Sequence, residues 1–345
     1  MSSRSVGRSV GGKTDDIQKR YVVLFRQMNR AGFTSVYDET IAYACFKTLC
    51  VPLLRRAGVR CVASIFGNFF FRQYRAALLP GRVPVSAVDH RLDAKIPFTP
   101  SWITIYLDFV GFWVRALSFL LHAYQRRSFS AARDFITSMG ELYAFASEAY
   151  RKNFSTTERP FYIARPRFLL IHLVDPHLMC IPSLHVMVVI RAWTKFAAIL
   201  RSFGDAERLA PQIEEMKQGA LLITEAVLFV KQHSVNCIAA ALYAITCFDP
   251  ELFPPAEAEA FTALLFEKPP APDPGSALPA RYGGPLPNAG VRPSAAPRIK
   301  MAPEDIAEIK DHIISLYRRF LSERKTAKTW DEPLLKFLRP LPRKY

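Results

Sequence analysis

Two histidines, three cations and one serine in this sequence have the types and spacing to work on a phosphate-like anion. The run Cys180-Ile181-Pro182-Ser183-Leu184-His185-Val186 sets a proline, a hydroxyl and an imidazole at the mouth of the apolar stretch 186–190. Proline suits the first turn of a helix and serine caps it. A helix starting here aims its free N–H groups and positive dipole end at the place where His185 is anchored. That is an anion site with a titratable group beside it; the plain alternative is a capped core helix carrying a packed histidine. Upstream, Lys152 and Arg159 are separated by six residues and closed by Pro160; downstream, Lys231-Gln232-His233 follows the apolar run 220–230. Transfer of a phosphate ester needs its oxygens neutralised, a nucleophile aimed at phosphorus and an acid for the leaving oxygen. Lys152, Arg159 and Lys231 would supply fixed positive charge, Arg159 through a fork that fits two oxygens at once. Ser183 would add a hydrogen bond.

Lys-x6-Arg-Pro, then Pro-Ser-x-His, then a helix-borne histidine is the three-part signature of the type 2 phosphatidic acid phosphatase and vanadium haloperoxidase superfamily, which this chain resembles over roughly residues 90–250. Pro182-Ser183-Leu184-His185-Val186 and Lys231-Gln232-His233-Ser234-Val235 are most similar to its bacterial membrane members. The stretch from Asp93 through Pro97 and Pro100 to Trp102 resembles the segment by which those members enter the bilayer. The resemblance implies that His233 is the nucleophile that forms a phosphohistidine. His185 would then be the acid that protonates the departing alcohol and later activates water, with no metal or other cofactor. It further implies a neutral His233 and a protonated His185 at working pH. Two positions depart from the family. Ala226 and Val227 stand where it has a Ser-Arg pair, and Cys237, beside Asn236, stands where it has an aspartate that holds the nucleophile's second nitrogen. A thiol is a poor acceptor, and losing the orienting carboxylate costs about 10⁴-fold in the serine proteases; Asp175 and Glu225 are the acids that could compensate.

Three functions stay open on this reading: a phosphohydrolase acting on a lipid phosphate monoester or diphosphate, a phosphotransferase resembling the sphingolipid headgroup synthases, and a catalytically impaired protein that binds lipid headgroups. Arg165-Pro166 is a second arginine-proline pair, but only Arg159 has a lysine at the family's interval. His172, His177, Cys180 and His185 lie close together, and His233 and Cys237 are one helical turn apart, yet neither spacing matches a common zinc pattern. His172 and His177 read instead as packing or loop residues, His90 and His312 as surface residues and His122 as an interface or packed one.

The elements that must position these residues read as helices. Of 345 residues, 50% are hydrophobic and 12% aromatic, and the formal net charge is +16. Such a balance calls for an anionic partner. Without an RNA-binding or zinc-finger motif, that partner is an anionic phospholipid or lipid phosphate in a membrane, and not nucleic acid. Six cysteines without framework spacing read as small buried residues. Residues 102–123 have the length, aromatic start and basic end of a membrane span, with Asp108 and Arg115 seven apart on one face. Residues 131–150, 182 to about 200 and 219–248 read as further helices, the last two carrying the histidines. The short aromatic run 61–71, loops over 72–91 and a solvated charged stretch at 201–218 complete that region. The expectation is an all-α, multi-helix bundle, integral to a membrane and multi-pass, over residues 36–250. A basic arm without the apolar core of a secretory signal occupies 1–35, a proline- and alanine-rich linker 251–300, and an amphipathic helix with a basic tail 301–345. The stripe Ile306, Ile309, Ile313, Leu316 and Phe320 fits either docking on the chain's own domain or lying on anionic lipid.

Overall fold

The computed structural model describes residues 35–79, 81, 83–162, 164, 166–267 and 299–343; the arm at 1–34 and most of the linker, 268–298, lie outside them. Among the described residues, a 3-10 turn at Val36–Asp38 precedes α1 (Ile41–Cys50), which Pro52 ends and α2 (Pro52–Ile65) takes over. A π-helical turn, Phe66–Phe70, leads directly into α3 (Phe71–Leu78). The expected short run at 61–71 is thus the middle of one helical path, and the loop expected from 72 starts only after Leu78. The reason is local: Phe71 to Leu78 holds no proline or glycine and several good helix formers. After β1 (Val85–Ala87) come α4 (Ile103–Leu107), α5 (Phe109–Tyr124) and α6 (Phe129–Tyr150). With their flanking 3-10 turns these form one bent helical path, Pro100–Tyr150, long and apolar enough by length and composition to cross a membrane; 67% of its most apolar window is buried inside the protein. Asp108 sits at the break between α4 and α5 and binds the buried guanidinium of Arg115 through both carboxylate oxygens. The pair therefore faces protein, as its seven-residue spacing requires. Gly111 makes this possible, since a Cβ there would stand 2.6 Å from Asp108 Oδ1 and 2.8 Å from Arg115 Nη1.

Beyond β2 (Phe154–Thr156) and α7 (Pro166–Val174) lies α8 (Leu184–Ser202). Val186 to Ile190 are fully buried, because α8 packs against α5, α6 and two later helices, α9 (Ala210–Phe229) and α10 (Val235–Phe248). A helix apolar on all sides belongs at the centre, and burying each of its larger side chains contributes about 1.5–3 kcal/mol. Two expectations need correcting here. The run 219–248 is two helices, broken at 230–234, where Lys231 takes a left-handed φ of 55° and Ser234 caps α10 by accepting the Asn236 N–H at 3.3 Å. The stretch 201–218 is solvated only in part: α9 begins at Ala210 and buries Gln212 and Met216, while Glu214 stays exposed.

The fold also continues past residue 250. In α11 (Pro255–Ala263) Phe261 is buried, as is Phe253 just before it, so the linker cannot begin until after 267. Helix α12 (Pro303–Arg324) buries Ile309, Ile313, Leu316, Tyr317 and Phe320 against α10, which makes docking the fate of the amphipathic stripe. The last helix, α13 (Glu332–Leu338), brings the chain back to the β strands: Ala87 N–H donates to Pro342 O at 2.8 Å and Ser86 Oγ to Leu338 O at 3.0 Å. The structure is mostly helical, with the parallel pair β1–β2 as the sheet among the described residues.

Candidate functional site

That small sheet joins the first two motifs. Strand β2 pairs with β1 in the register Val85↔Phe154, Ser86↔Ser155, Ala87↔Thr156. On its other side Ser155 N–H donates to Leu178 O at 3.0 Å, Cys180 N–H to Ser155 O at 3.2 Å, and Ile181 N–H to Ser155 Oγ at 2.7 Å. The residues leading to Arg159 therefore run beside those leading to Pro182-Ser183-Leu184-His185, although some twenty-five positions separate them. Ser183 is the N-cap residue of α8 and fully buried, and its hydroxyl has no hydrogen-bond partner. The third motif sits in the α9–α10 turn and not on a helix. Asp93 holds that turn by accepting the Val235 N–H at 2.9 Å, a carboxylate at a helix N-terminus.

Across 48 residues the two imidazoles meet, with His233 Nε2 3.4 Å from His185 Nδ1 and the ring centroids 5.5 Å apart. His185 is walled by Tyr106, stacked at 4.5 Å, and by Phe109 at 4.2 Å. Burial, and secondarily the neighbouring His233, push its pKa down to about 3. His233 is buried and its Nδ1 has no partner, so no carboxylate takes the role that the Cys237 position lacks. Arg159 reaches the same place. Its Nη1 donates to Gln232 Oε1 at 3.4 Å, next in sequence to His233, and its Nη2 to Asp175 O at 3.3 Å. Gln232 Nε2 is also buried without a partner. Three unpaired polar atoms thus belong to the segments that carry the histidine pair, and buried polar atoms left so cost about 1–3 kcal/mol each unless a water or ligand fills the role. The space at the pair is a cavity of about 20 Å³ lined by Asp175, His177, Cys180, Leu184 and both imidazoles, among others. That is room for one water, so a phosphate enters only as the rings part.

A second cluster abuts this one. His177, held at φ 59°, places its ring 3.7 Å from Asp175 Oδ2, 3.4 Å from Cys180 Sγ and 2.7 Å from Thr157 Oγ1. Burial alone would raise Asp175, but hydrogen bonding to His177 and the charge of Arg159 hold it well below the usual carboxylate range. Burial likewise opposes a charged His177, yet Cys180 and Asp175 lift it to about 9. Gln73 of α3 steadies the cluster, donating to Asp175 Oδ1 at 2.8 Å and accepting the Leu178 N–H at 3.0 Å. Residue types alone read His177 as packing; the signal that could have raised it is Asp175-Pro176-His177, an acid and an imidazole fixed around a proline just ahead of Cys180.

Of the six expected site residues, Arg159, His185 and His233 come together, and Ser183 starts the helix that carries His185. The two lysines do not join them. Lys152 Nζ is bound by the buried Asp331 at 2.6 Å, and Lys231 Nζ is held by the carbonyl oxygens of Asp93 and Ile96. Neither candidate compensating acid serves His233: Asp175 bonds His177, and Glu225 accepts the Phe266 N–H at 2.6 Å. Arg165 lies outside the described residues. His312 and His90 are half-buried and stacked at 4.0 Å, His312 bonding Asn236 Oδ1 at 2.8 Å, so the surface reading of both fails. Among the described residues no three His, Cys, Asp or Glu side chains are arranged so that they could hold a metal ion. No family model, characterised protein or solved structure matches the chain.

Proposed function

We propose that this chain is a metal-independent phosphohydrolase for a lipid phosphate monoester or diphosphate, working as the type 2 phosphatidic acid phosphatase superfamily does. The observation that carries this is the 3.4 Å approach of His233 to His185 with Arg159 bonded to the residue beside His233. His233 Nε2 attacks phosphorus and the P–O bond to the lipid alcohol breaks, its oxygen taking a proton from His185. His185 then removes a proton from water, which attacks the phosphorus; the P–N bond breaks and inorganic phosphate leaves. Arg159 neutralises two phosphate oxygens, and Ser183 Oγ donates to a third.

The chain works at a membrane. Support comes from the exposed apolar side chains Phe46, Leu49, Val59, Val62, Phe66 and Phe71 on α1, α2 and the turn to α3, interspersed with Arg55, Arg56 and Arg60. An integral, multi-pass arrangement needs several spans, and among the described residues one helical path qualifies. The attachment we propose is therefore that path together with the exposed face of α1–α3.

A second reading has its own support. With Cys237 in place of a carboxylate, an unpartnered His233 Nδ1 and a one-water cavity, the chain could hold a lipid phosphate headgroup without turning it over. Phosphotransfer to an alcohol in place of water uses the same site. The test is to supply radiolabelled phosphatidic acid with metal chelated. Acid-labile label on wild type, absent from His233→Ala, and released phosphate are expected. Label that moves to an added alcohol in place of water favours the transferase. No label on wild type but label on Cys237→Asp identifies the impaired form, and no label on either rejects the chemistry.

A further inference from the structure

A cavity of about 570 Å³ lies against α3, within the range of small-molecule sites. Its walls are apolar where Leu79, Val85 and Phe154 contribute, but three guanidiniums also line it: Arg72 and Arg75, one turn apart on α3, and Arg151 just past the end of α6. Among the described residues none of the three pairs with a carboxylate; Arg151 Nη2 donates to Ser147 Oγ at 3.1 Å. Among the described residues Arg72 Nε is buried with no hydrogen-bond partner. The three are close enough to oppose one another. Burial first, and then the charges of Arg151 and Arg75, pull the pKa of Arg72 down. Cations gathered without an acid, one of them missing a hydrogen-bond acceptor, are arranged for an anion that the described residues do not supply. Arg75 and Arg151 each also stand at a helix C-terminus, where a cation is favourable on its own. Arg72 does not, and its Nε is the atom left unpaired.

We infer that this cavity binds an amphiphile with a carboxylate or phosphate head held by Arg72, Arg75 and Arg151 and an acyl tail along the apolar wall, at a site separate from the histidine pair. The occupant also touches the reactive cluster indirectly. Pro176 and Leu178, which flank His177, form part of the cavity wall, and the buried Gln73, between Arg72 and Arg75 on α3, bonds both Asp175 and Leu178.

The test is displacement of a fluorescent fatty acid, 11-(dansylamino)undecanoic acid, from the full-length protein. Dodecanoate and dodecyl phosphate should both displace it, whereas dodecanol, dodecyltrimethylammonium and orthophosphate at equal concentration should not. Arg72→Gln with Arg75→Gln should weaken the probe about tenfold or more, the worth of one charge-assisted contact, without changing the melting temperature. If that pair misfolds, Ala76→Phe, which fills the cavity from α3 and removes no charge, must abolish binding on its own. His233→Ala should bind the probe as wild type does, which separates this site from the proposed phosphatase centre and keeps the two readings independently testable. Displacement by dodecanol as strong as by dodecanoate means a merely greasy cleft, and displacement by orthophosphate alone means a free-anion site. Either result overturns the proposal, as does undiminished binding to a well-folded arginine or Ala76 variant, or loss of binding in His233→Ala.

Discussion

Binding of phosphate should put a proton on His185. Burial holds this imidazole at about 3, so at neutral pH it is uncharged and cannot act as an acid. Lifting the ring from about 3 to 7 costs about 5 kcal/mol at 1.36 kcal/mol per pH unit. A phosphate dianion at about 4 Å in a site of effective dielectric about 20 attracts an imidazolium by about 8 kcal/mol. The anion is therefore sufficient by itself to charge the ring, and the acid is made only when there is something to protonate. Nitrogen-15 NMR of the imidazoles at pH 7, with His185→Gln to assign the signal, should show a neutral His185 ring in the free protein and a doubly protonated one at saturating orthophosphate. A ring that stays neutral with phosphate bound, or is already charged without it, refutes the reasoning. The same displacement has a stability consequence. The folded value of about 3 lies below the 6.5 of the unfolded ring, so the unfolded state binds more protons between the two. This contribution is fully present above pH 6.5 and is lost as pH falls from 6.5 towards 3; phosphate should flatten that loss.

Other outcomes follow from the geometry. Lys152→Met should lower stability by about 1–3 kcal/mol, because it strands the buried Asp331 while the lysine itself is half in solvent, and should leave phosphate affinity unchanged; denaturant melts and phosphate binding measure the two. Gly111→Ala should cost about 1–3 kcal/mol, since its methyl collides with the Asp108–Arg115 pair, and a melting temperature equal to wild type would contradict the reported approach. Ile190→Ala in the centre of α8 should cost about 2–5 kcal/mol, read by denaturant unfolding. Arg159→Lys should weaken phosphate binding about tenfold or more, because an ammonium cannot span two oxygens; calorimetric titration checks it.

The spacing of motifs made legible three residues that the fold brings together: Arg159, His185 and His233 each stand at a fixed offset from a proline or an apolar run, and backbone geometry carries them to one place. Long flexible side chains escape such reasoning. Nothing near Lys152 in sequence announces Asp331, 179 positions away, and Lys231 turns to two carbonyls through a left-handed backbone that no glycine or proline marks. For the same reason the break at 230–234 was invisible between two apolar runs. The density of proline and alanine after 250 concealed α11, whose place in the fold depends on two phenylalanines finding a buried position. The cluster of Asp175, His177 and Cys180 arises from tertiary tethers, chief among them Gln73 from a helix a hundred residues earlier.

The return of the chain to β1 fixes when the centre can mature. The strands that align Arg159 with the His185 helix are completed only by Leu338 and Pro342, and Trp330 stacks at 3.9 Å on Phe145 nearby. During synthesis the bundle of α5, α6 and α8 can collapse while the ribosome is still translating the linker, but the hydrogen bonds at Ser86 and Ala87 must wait for Leu338 and Pro342 to emerge. The strands beside Arg159 and the His185 helix thus gain their last backbone partners only after the helices they join have packed.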